Sequence, residues 1–250
     1  MNTLIKCSKI ILSFCAVLIG LAVIIYLSQI PTGITPTDKA ALETIYTTSG
    51  YPHLIDNKAP AEFTEQIAQI REVQKAVLQI SPTLQKIPVN APREPEDLLK
   101  AGHGQCSDRA RSILKGLELL GYRARFAAIF SFDQTHMPPE QLARQIDDVR
   151  SHALIEVLTA KGWLFVDTNE PWVSLDENGN PVSLQQWQDV SDRTHFKWSA
   201  SNEGQIYWLM KSSDLMVIYG LYSRHGLFYP PFTPYIPDIN WRELVQTRLI

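Results

Sequence analysis

The chain has 250 residues, of which 45% are hydrophobic and 20% are charged, and its net charge is −3. This composition is typical of a globular protein and excludes a disordered or fibrous chain. Without Lys6 and Lys9, which precede a long apolar segment, 21 basic and 26 acidic residues remain, so the rest of the chain carries about −5 and no nucleic-acid partner is expected.

The first predicted element is a membrane-spanning helix at residues 10–27. This stretch contains no charged residue, and at roughly 1.5 Å per residue it is long enough to cross the hydrocarbon core of a bilayer. Residues 1–9 carry two lysines, and no acidic residue occurs before Asp38. The positive-inside rule therefore predicts a cytoplasmic N-terminus, with the remainder of the chain on the other side of the membrane.

Two further expectations follow from this segment. Residues 28–31 lack the small-x-small pattern that signal peptidases cleave, which favours an uncleaved signal anchor. In a bacterium, the chain would then be a single-pass protein of the inner (cytoplasmic) membrane, with its domain on the periplasmic or outer face.

Residues 28–60 are predicted to form a stalk, and residues 61–250 a single domain. The stalk contains a short helical pattern at 37–46, followed by the breakers Gly50 and Pro52. Apolar residues at helical spacing predict a helix over 61–80.

Further elements are predicted along the domain in chain order. Two helices are expected at 96–101 and 106–120, followed by a strand at 122–130. Residues 131–150, which include a polar helical patch at 140–149, are interpreted as an excursion at the rim of the domain.

Two strands at 151–158 and 163–167 are predicted to pair, and a short helix is expected at 184–190. From residue 206 onwards the sequence is rich in aromatic residues and proline, which indicates a C-terminal extension.

Cys106 is the cysteine with the most distinctive position. Cys7 and Cys15 lie in or beside the predicted anchor, so Cys106 has no disulfide partner within the exported part of the chain. It also stands at the predicted start of a helix, where the macrodipole favours the nucleophilic thiolate over the thiol. These features predict a reactive cysteine.

His152 and Asp167 are predicted to lie on one face of a β-hairpin. If Ala160 and Lys161 form the turn, Leu154 lies opposite Asp167, and His152 becomes the diagonal neighbour of Asp167 at a Cβ separation of about 7 Å. A register shift of one residue would place the two on opposite faces. In the same register Asn169 faces His152 and is a second candidate for orienting it, although an ionised carboxylate stabilises an imidazolium better.

The cysteine also allows two structural interpretations. Cys106 could be a buried core thiol. It could also form half of a zinc site with His103, completed by His136 or His152, but no second exported cysteine is present. Neither a metal nor another cofactor is expected.

Charged residues outside this group are expected to be solvated or to form local ion pairs. Acidic residues at four positions could bind calcium, but solvated loop charges explain them better, and four arginines are expected in solvated faces or local ion pairs. The acidic residues are Asp147, Asp148, Asp176 and Glu177, and the arginines are Arg109, Arg111, Arg123 and Arg125.

Four motifs between residues 94 and 172 resemble those of the transglutaminase-like superfamily. They comprise the cysteine motif at 104–110, the helix exit at 121–125, the histidine motif at 151–157 and the aspartate motif at 163–167. The resemblance implies an α+β fold of the papain-like type, in which the cysteine-bearing helix packs on an antiparallel sheet.

The same resemblance implies acyl transfer by Cys106, with His152 as base and Asp167 as the orienting residue. Gln105, His103 and Asn169 are candidates for oxyanion or orienting support. Ser107 follows the cysteine, where many animal-type transglutaminases have tryptophan, so hydrolysis of a protein or peptide amide in the cell envelope is favoured slightly over cross-linking. A non-catalytic scaffold in an envelope assembly is the alternative, and the oligomeric state is left open.

Overall fold

In the computed structural model of the protein, residues 2–88, 93–131, 150–201, 206, 208–211, 215–222 and 238–247 are described. The helical patch predicted at 140–149 lies outside these residues, as do His136, Asp147 and Asp148.

The helices of the first half of the chain lie close to their predicted positions. Short polar signals define their ends: Thr35 accepts a hydrogen bond from the backbone N–H of Asp38 at the start of the second helix, and Gly102 adopts a φ of 65° after the fourth. The helices are α1 (Asn2–Ser28), α2 (Pro36–Thr48), α3 (Phe63–Ile80), α4 (Pro95–Ala101) and α5 (Cys106–Leu119), with a 3-10 turn at Pro52–Ile55.

An antiparallel sheet forms the centre of the domain, with strand order β3-β2-β1-β4. The strands are β1 (Arg123–Ser131), β2 (Arg150–Thr159), β3 (Gly162–Asp167) and β4 (Leu215–Tyr219). Smaller elements complete the described part: α6 (Leu184–Gln188), a 3-10 turn at Trp208–Lys211, β5 (Leu221–Tyr222), β6 (Asp238–Ile239) and α7 (Trp241–Leu244).

Each face of the sheet is covered by its own apolar cluster. Helix α5 packs against β1 and β2, where Ala153, Ile155 and Val157 belong to the same cluster as the helices. On the other face, Leu154 and Phe165 pack with buried tryptophans such as Trp172. The predicted α+β fold, with the cysteine-bearing helix on an antiparallel sheet, is confirmed.

Residues 28–60 differ from the predicted stalk because they are packed into the domain. Leu42, Ile45 and Leu54 are completely buried in the cluster that also contains α3 and α5. The carboxylate of Asp38 lies 2.6 Å from Nζ of Lys115 on α5, and both side chains are buried. The helical pattern of this segment therefore belongs to a core helix with one apolar face. The nearby helix breakers Gly50 and Pro52 suggested an exposed stalk instead.

Residues 215–222 and 238–247, from the predicted C-terminal extension, also belong to the fold. Strand β4 pairs with β1, and Ile239 accepts a hydrogen bond from the N–H of Ile30 at 2.9 Å. Nε1 of Trp241 donates to the hydroxyl of Ser28, the last residue of α1, at 3.0 Å. These contacts attach the end of α1 directly to the domain.

Helix α1 contains the one stretch of the described residues that is long and apolar enough to span a membrane. It covers Ile10–Ser28 with a mean hydropathy of 2.9, and none of its most apolar window is buried by the rest of the chain. An exposed apolar helix of this length is unfavourable in water, so the structure is compatible with a bilayer around it.

Replacing Leu42 by Ala tests whether residues 28–60 are part of the core. The buried leucine would leave a cavity, and we expect the free energy of unfolding to fall by about 2–5 kcal/mol. The measurement is urea denaturation of the full chain in detergent. Lys39→Ala, on the exposed face of the same helix, serves as the control and should change stability by less than about 0.5 kcal/mol; equal effects of the two variants would support a stalk.

Candidate active site

Cys106 is the first residue of α5, and a polar capping network holds the helix start in place. Asp108, in the first turn, accepts a hydrogen bond from the backbone N–H of Gln105 at 2.9 Å. Its carboxylate also accepts the N–H of Ile87 at 3.1 Å and forms a buried ion pair with Arg93. One carboxylate therefore joins the helix start to the segment that precedes α4.

Gly104 permits close packing just before the cysteine. A Cβ at this position would lie 2.8 Å from Cδ1 of Leu98 and 3.0 Å from Cβ of Asp108, closer than carbon atoms normally approach. The glycine therefore brings α4 and α5 together beside Cys106, which explains its place in the cysteine motif.

The register of β2 and β3 is the predicted one. Leu154 pairs with Asp167 and Thr159 pairs with Gly162, so His152 and Asp167 share a face of the sheet. Nε2 of His152 lies 3.2 Å from Oδ2 of Asp167, and both residues are completely buried. Because Nε2 faces the carboxylate, Nδ1 is the other ring nitrogen through which the imidazole can act.

The end of β3 creates space for the cysteine next to β2. The ladder stops at Asp167, so Ala153 has no strand partner on that side. Its carbonyl accepts the hydroxyl of Thr168 at 2.6 Å, and its N–H donates to the Cys106 sulfur. The backbone of the histidine-bearing strand thus contacts the sulfur directly.

Cys106 and His152 favour each other's charged forms. Burial opposes ionisation of the thiol, but the charge and hydrogen bond of His152, together with the N–H groups of Ala153 and Ser107, lower the pKa of Cys106. Burial also opposes protonation of His152, but Asp167 and Cys106 outweigh it and raise the histidine pKa. Both shifts therefore favour a thiolate–imidazolium pair.

Asp167 is oriented from two sides. Its Oδ1 accepts the backbone N–H groups of Asn169 at 2.7 Å and Glu170 at 3.1 Å, which leaves Oδ2 for His152. From α3, the amide nitrogen of buried Gln74 lies 2.7 Å from the main-chain oxygen of Asp167 and 2.8 Å from that of Trp172. The carboxylate of Asp167 is thus held by its own turn, and its backbone by a second element.

Arg109 is a component of the site that the sequence interpretation missed. It was expected in a solvated face or a local ion pair, but it is buried and lies one helical turn after Cys106. Its guanidinium donates to the main-chain oxygen and hydroxyl of Ser81, and to Oδ1 of Asn169 at 3.1 Å. An arginine three residues after the cysteine could have indicated this link, because i and i+3 share a helix face.

The other three arginines are divided between the two expectations. Arg111 and Arg125 are buried and form ion pairs with Glu94 and Glu156, and Arg123 is exposed.

The remaining candidates occupy supporting or separate positions. Nδ1 of His103 lies 2.9 Å from the carbonyl oxygen of Gln85, whereas Gln105 directly precedes the cysteine. Asn169 engages Arg109 through its side chain and Asp167 through its backbone.

No metal site occurs among the residues that the structure describes: no group of three or more potential ligands is present there. The carboxylate of Asp176 accepts two backbone N–H groups of its own turn, and Glu177 lies 3.5 Å from Lys197.

The arrangement of a helix-initial cysteine beside a histidine and an aspartate of an antiparallel sheet defines a thiol–imidazole site. Residues 55–168 match the family model of the Transglutaminase-like superfamily, and this part of the chain is a transglutaminase-like domain. The match begins earlier than the motif core at 94–172 and includes α3, which supplies Gln74.

Comparison with solved structures gives a weaker likeness. The crystal structure of Rad4-Rad23 bound to a 6-4 photoproduct UV lesion is similar, with a TM-score of 0.38 and 12% sequence identity. The likeness covers 80% of this chain and 46% of the other, so the chain spans about half the length of that relative. No curated protein matches the chain.

The pH dependence of Cys106 alkylation tests the charge pair. In a Cys7→Ser, Cys15→Ser background, we expect rapid reaction with iodoacetamide to persist at about pH 6, where an ordinary thiol is almost fully protonated. The rate should fall only at lower pH, as the thiolate takes up a proton. In His152→Ala the inflection should move upwards, and the rate at pH 7 should drop roughly tenfold or more.

Two variants serve as controls for this profile. Asp167→Asn removes the charge that raises the histidine pKa, so the inflection should shift in the same direction by a smaller amount. Lys58→Ala, at an exposed position outside the site, should leave the inflection in place. An identical profile in the parent and in His152→Ala would contradict the charge pair.

Proposed function

We propose that the protein is a membrane-anchored cysteine enzyme that transfers the acyl group of a protein or peptide amide to water. The observation that carries the proposal is the contact between the half-buried Cys106 and His152, with Asp167 at 3.2 Å from the imidazole. In this proposal Cys106 is the nucleophile, His152 the general base and acid, and Asp167 the residue that orients the imidazole.

The reaction begins from the charge pair. The Cys106 thiolate attacks the amide carbonyl carbon, and the carbonyl π electrons move to the oxygen. As the C–N bond breaks, the imidazolium of His152 gives its proton to the leaving nitrogen, and a thioester remains. Water then attacks the thioester while His152 accepts a proton, and the carboxylic acid is released with the thiol restored.

The helix start supports the developing oxyanion. The backbone N–H of Cys106 belongs to the first turn of α5, where amide groups have no partner within the helix. The positive end of the helix dipole also favours negative charge at this position. We expect this N–H to be one oxyanion donor, and Gln105 or His103 is the candidate source of another.

Ser107 favours water as the acceptor. Many animal-type transglutaminases, which this chain resembles, have a tryptophan directly after the cysteine. Here that position is occupied by Ser107, which is largely buried. A large aromatic side chain at that point is therefore missing from the cysteine motif, which supports hydrolysis over transfer to a lysine amine.

A direct assay of acyl transfer distinguishes the activities. The full chain in detergent is incubated with casein and dansylcadaverine, and ammonia, new amino termini and incorporated amine are measured. We expect hydrolysis products and little amine incorporation, with a loss of about 10³-fold or more in Cys106→Ala. Lys58→Ala, at an exposed position, is the control.

Two other outcomes of this assay would support the alternative functions. Dominant amine incorporation would support a cross-linking enzyme. Absence of all products, combined with ordinary thiol reactivity of Cys106, would support the non-catalytic scaffold.

The proposed location is the extracytoplasmic side of the inner membrane, anchored by residues 10–27. Supporting observations are the exposed apolar helix and the two lysines before it. In intact spheroplasts, a membrane-impermeant maleimide should label Cys106 of the Cys7→Ser, Cys15→Ser variant. Labelling that requires lysis would place the domain in the cytoplasm.

A further inference from the structure

A polar cavity lies at the end of the domain where α1 enters it. It has a volume of about 500 Å³, within the usual range for small-molecule sites. Gln29, which directly follows the last residue of α1, lines it, as does Thr32. Glu118 also lines it, twelve positions after Cys106 on α5, or about 18 Å along the helix.

The position of this cavity relative to α1 is fixed by direct contacts. Ser28 accepts the Nε1 hydrogen of Trp241 at 3.0 Å, and the N–H of Ile30 donates to Ile239 at 2.9 Å. If α1 spans a bilayer, as proposed above, Gln29 lies where the hydrocarbon ends and the lipid head groups begin. A tryptophan indole at this level is typical of a membrane interface.

Two arginine side chains of the cavity are suited to bind a negatively charged group. Arg123 and Arg242 both line it and are exposed, and in the described part of the chain neither forms an ion pair. Arg125, by contrast, is buried and pairs with Glu156. Guanidinium groups bind phosphate oxygens through paired hydrogen bonds, so the two exposed arginines suit a phosphate.

The same cavity offers carboxylates to a positively charged group. Glu118 and Glu243 both line it, and neither forms an ion pair within the described residues. Burial raises the pKa of Glu118, and burial likewise raises that of Glu243 to about 7 despite hydrogen bonds from Phe126 and Tyr222. An ammonium group beside them would supply the missing positive charge.

The balance of charges distinguishes between classes of head group. When an adjacent ammonium group keeps Glu118 and Glu243 ionised, their charges balance those of Arg123 and Arg242, which does not favour a purely anionic ligand. A zwitterion that carries phosphate and a primary amine could satisfy both pairs. A quaternary amine has the same charge but no N–H to donate to a carboxylate.

We propose that this cavity binds the head group of a phospholipid that carries a phosphate and a primary amine. Arg123 and Arg242 bind the phosphate, and Glu118 and Glu243 accept hydrogen bonds from the amine. The proposal rests on the membrane anchoring proposed above but not on the chemistry of Cys106.

The test is native mass spectrometry of the delipidated full chain in detergent, titrated separately with three lipids. These are phosphatidylethanolamine, phosphatidylcholine and phosphatidylglycerol. We expect phosphatidylethanolamine to be retained roughly tenfold better than either of the others. Arg123→Gln and Arg242→Gln should each weaken its retention by roughly tenfold, whereas Lys58→Gln should not.

Further measurements test whether the ligand comes from the membrane, and they distinguish lipid binding from the proposed acyl transfer. Soluble glycerophosphoethanolamine binding as tightly as the lipid would overturn a membrane ligand, as would extraction of the chain from membranes by carbonate. Equal retention of all three lipids, preference for phosphatidylglycerol, or no effect of the arginine variants would also overturn the proposal. Cys106→Ala should retain the lipid normally, whatever its effect on acyl transfer.

Discussion

The pairing of Leu154 with Asp167 determines most of what the site can do. Because side chains alternate along a strand, this one register places His152 and Asp167 on the same face of the sheet. It also ends the ladder at Asp167, so the backbone of Ala153 is available to the cysteine sulfur and to Thr168. The orientation of the imidazole and the access of the thiol thus have the same origin.

Around this hairpin, buried charges hold the surrounding segments together. Arg93 pairs with Asp108 beneath the start of α5, and Arg109 connects the same helix to Ser81 and to Asn169 in the aspartate loop. Burying such charges away from water is unfavourable, and a mutation that removes one partner leaves the charge of the other buried without a counter-charge. These contacts therefore make the geometry of the thiol–imidazole site dependent on segments distant in sequence.

How far the sequence predicts the structure differs between local and long-range features. The helix at Cys106 and the hairpin register follow from local periodicity and turn chemistry, and both agree with the structure. The integration of residues 28–60 depends on packing of Leu42 against distant helices, which glycine and proline signals nearby do not reveal.

The same limit applies to the supporting residues of the site. Gln74 lies 93 positions before Asp167 in the chain, and no spacing rule connects them. In the sequence, Arg109 resembles a surface arginine. Only the tertiary structure shows that its guanidinium donates to the carbonyl of Ser81. The motifs therefore singled out Cys106, His152 and Asp167, which lie together in the structure, whereas tertiary contacts were needed to find the residues around them.

The attachment of Ser28 to Trp241 fixes how far the domain can reach. An enzyme on a flexible tether can sweep a large volume of the compartment around its anchor. Here Cys106 begins α5, and Glu118, about 18 Å further along that helix, lines the same cavity as Gln29 at the end of α1. With α1 in a bilayer, the thiol would work at a nearly constant height above the lipid, and its substrates would have to come to that layer.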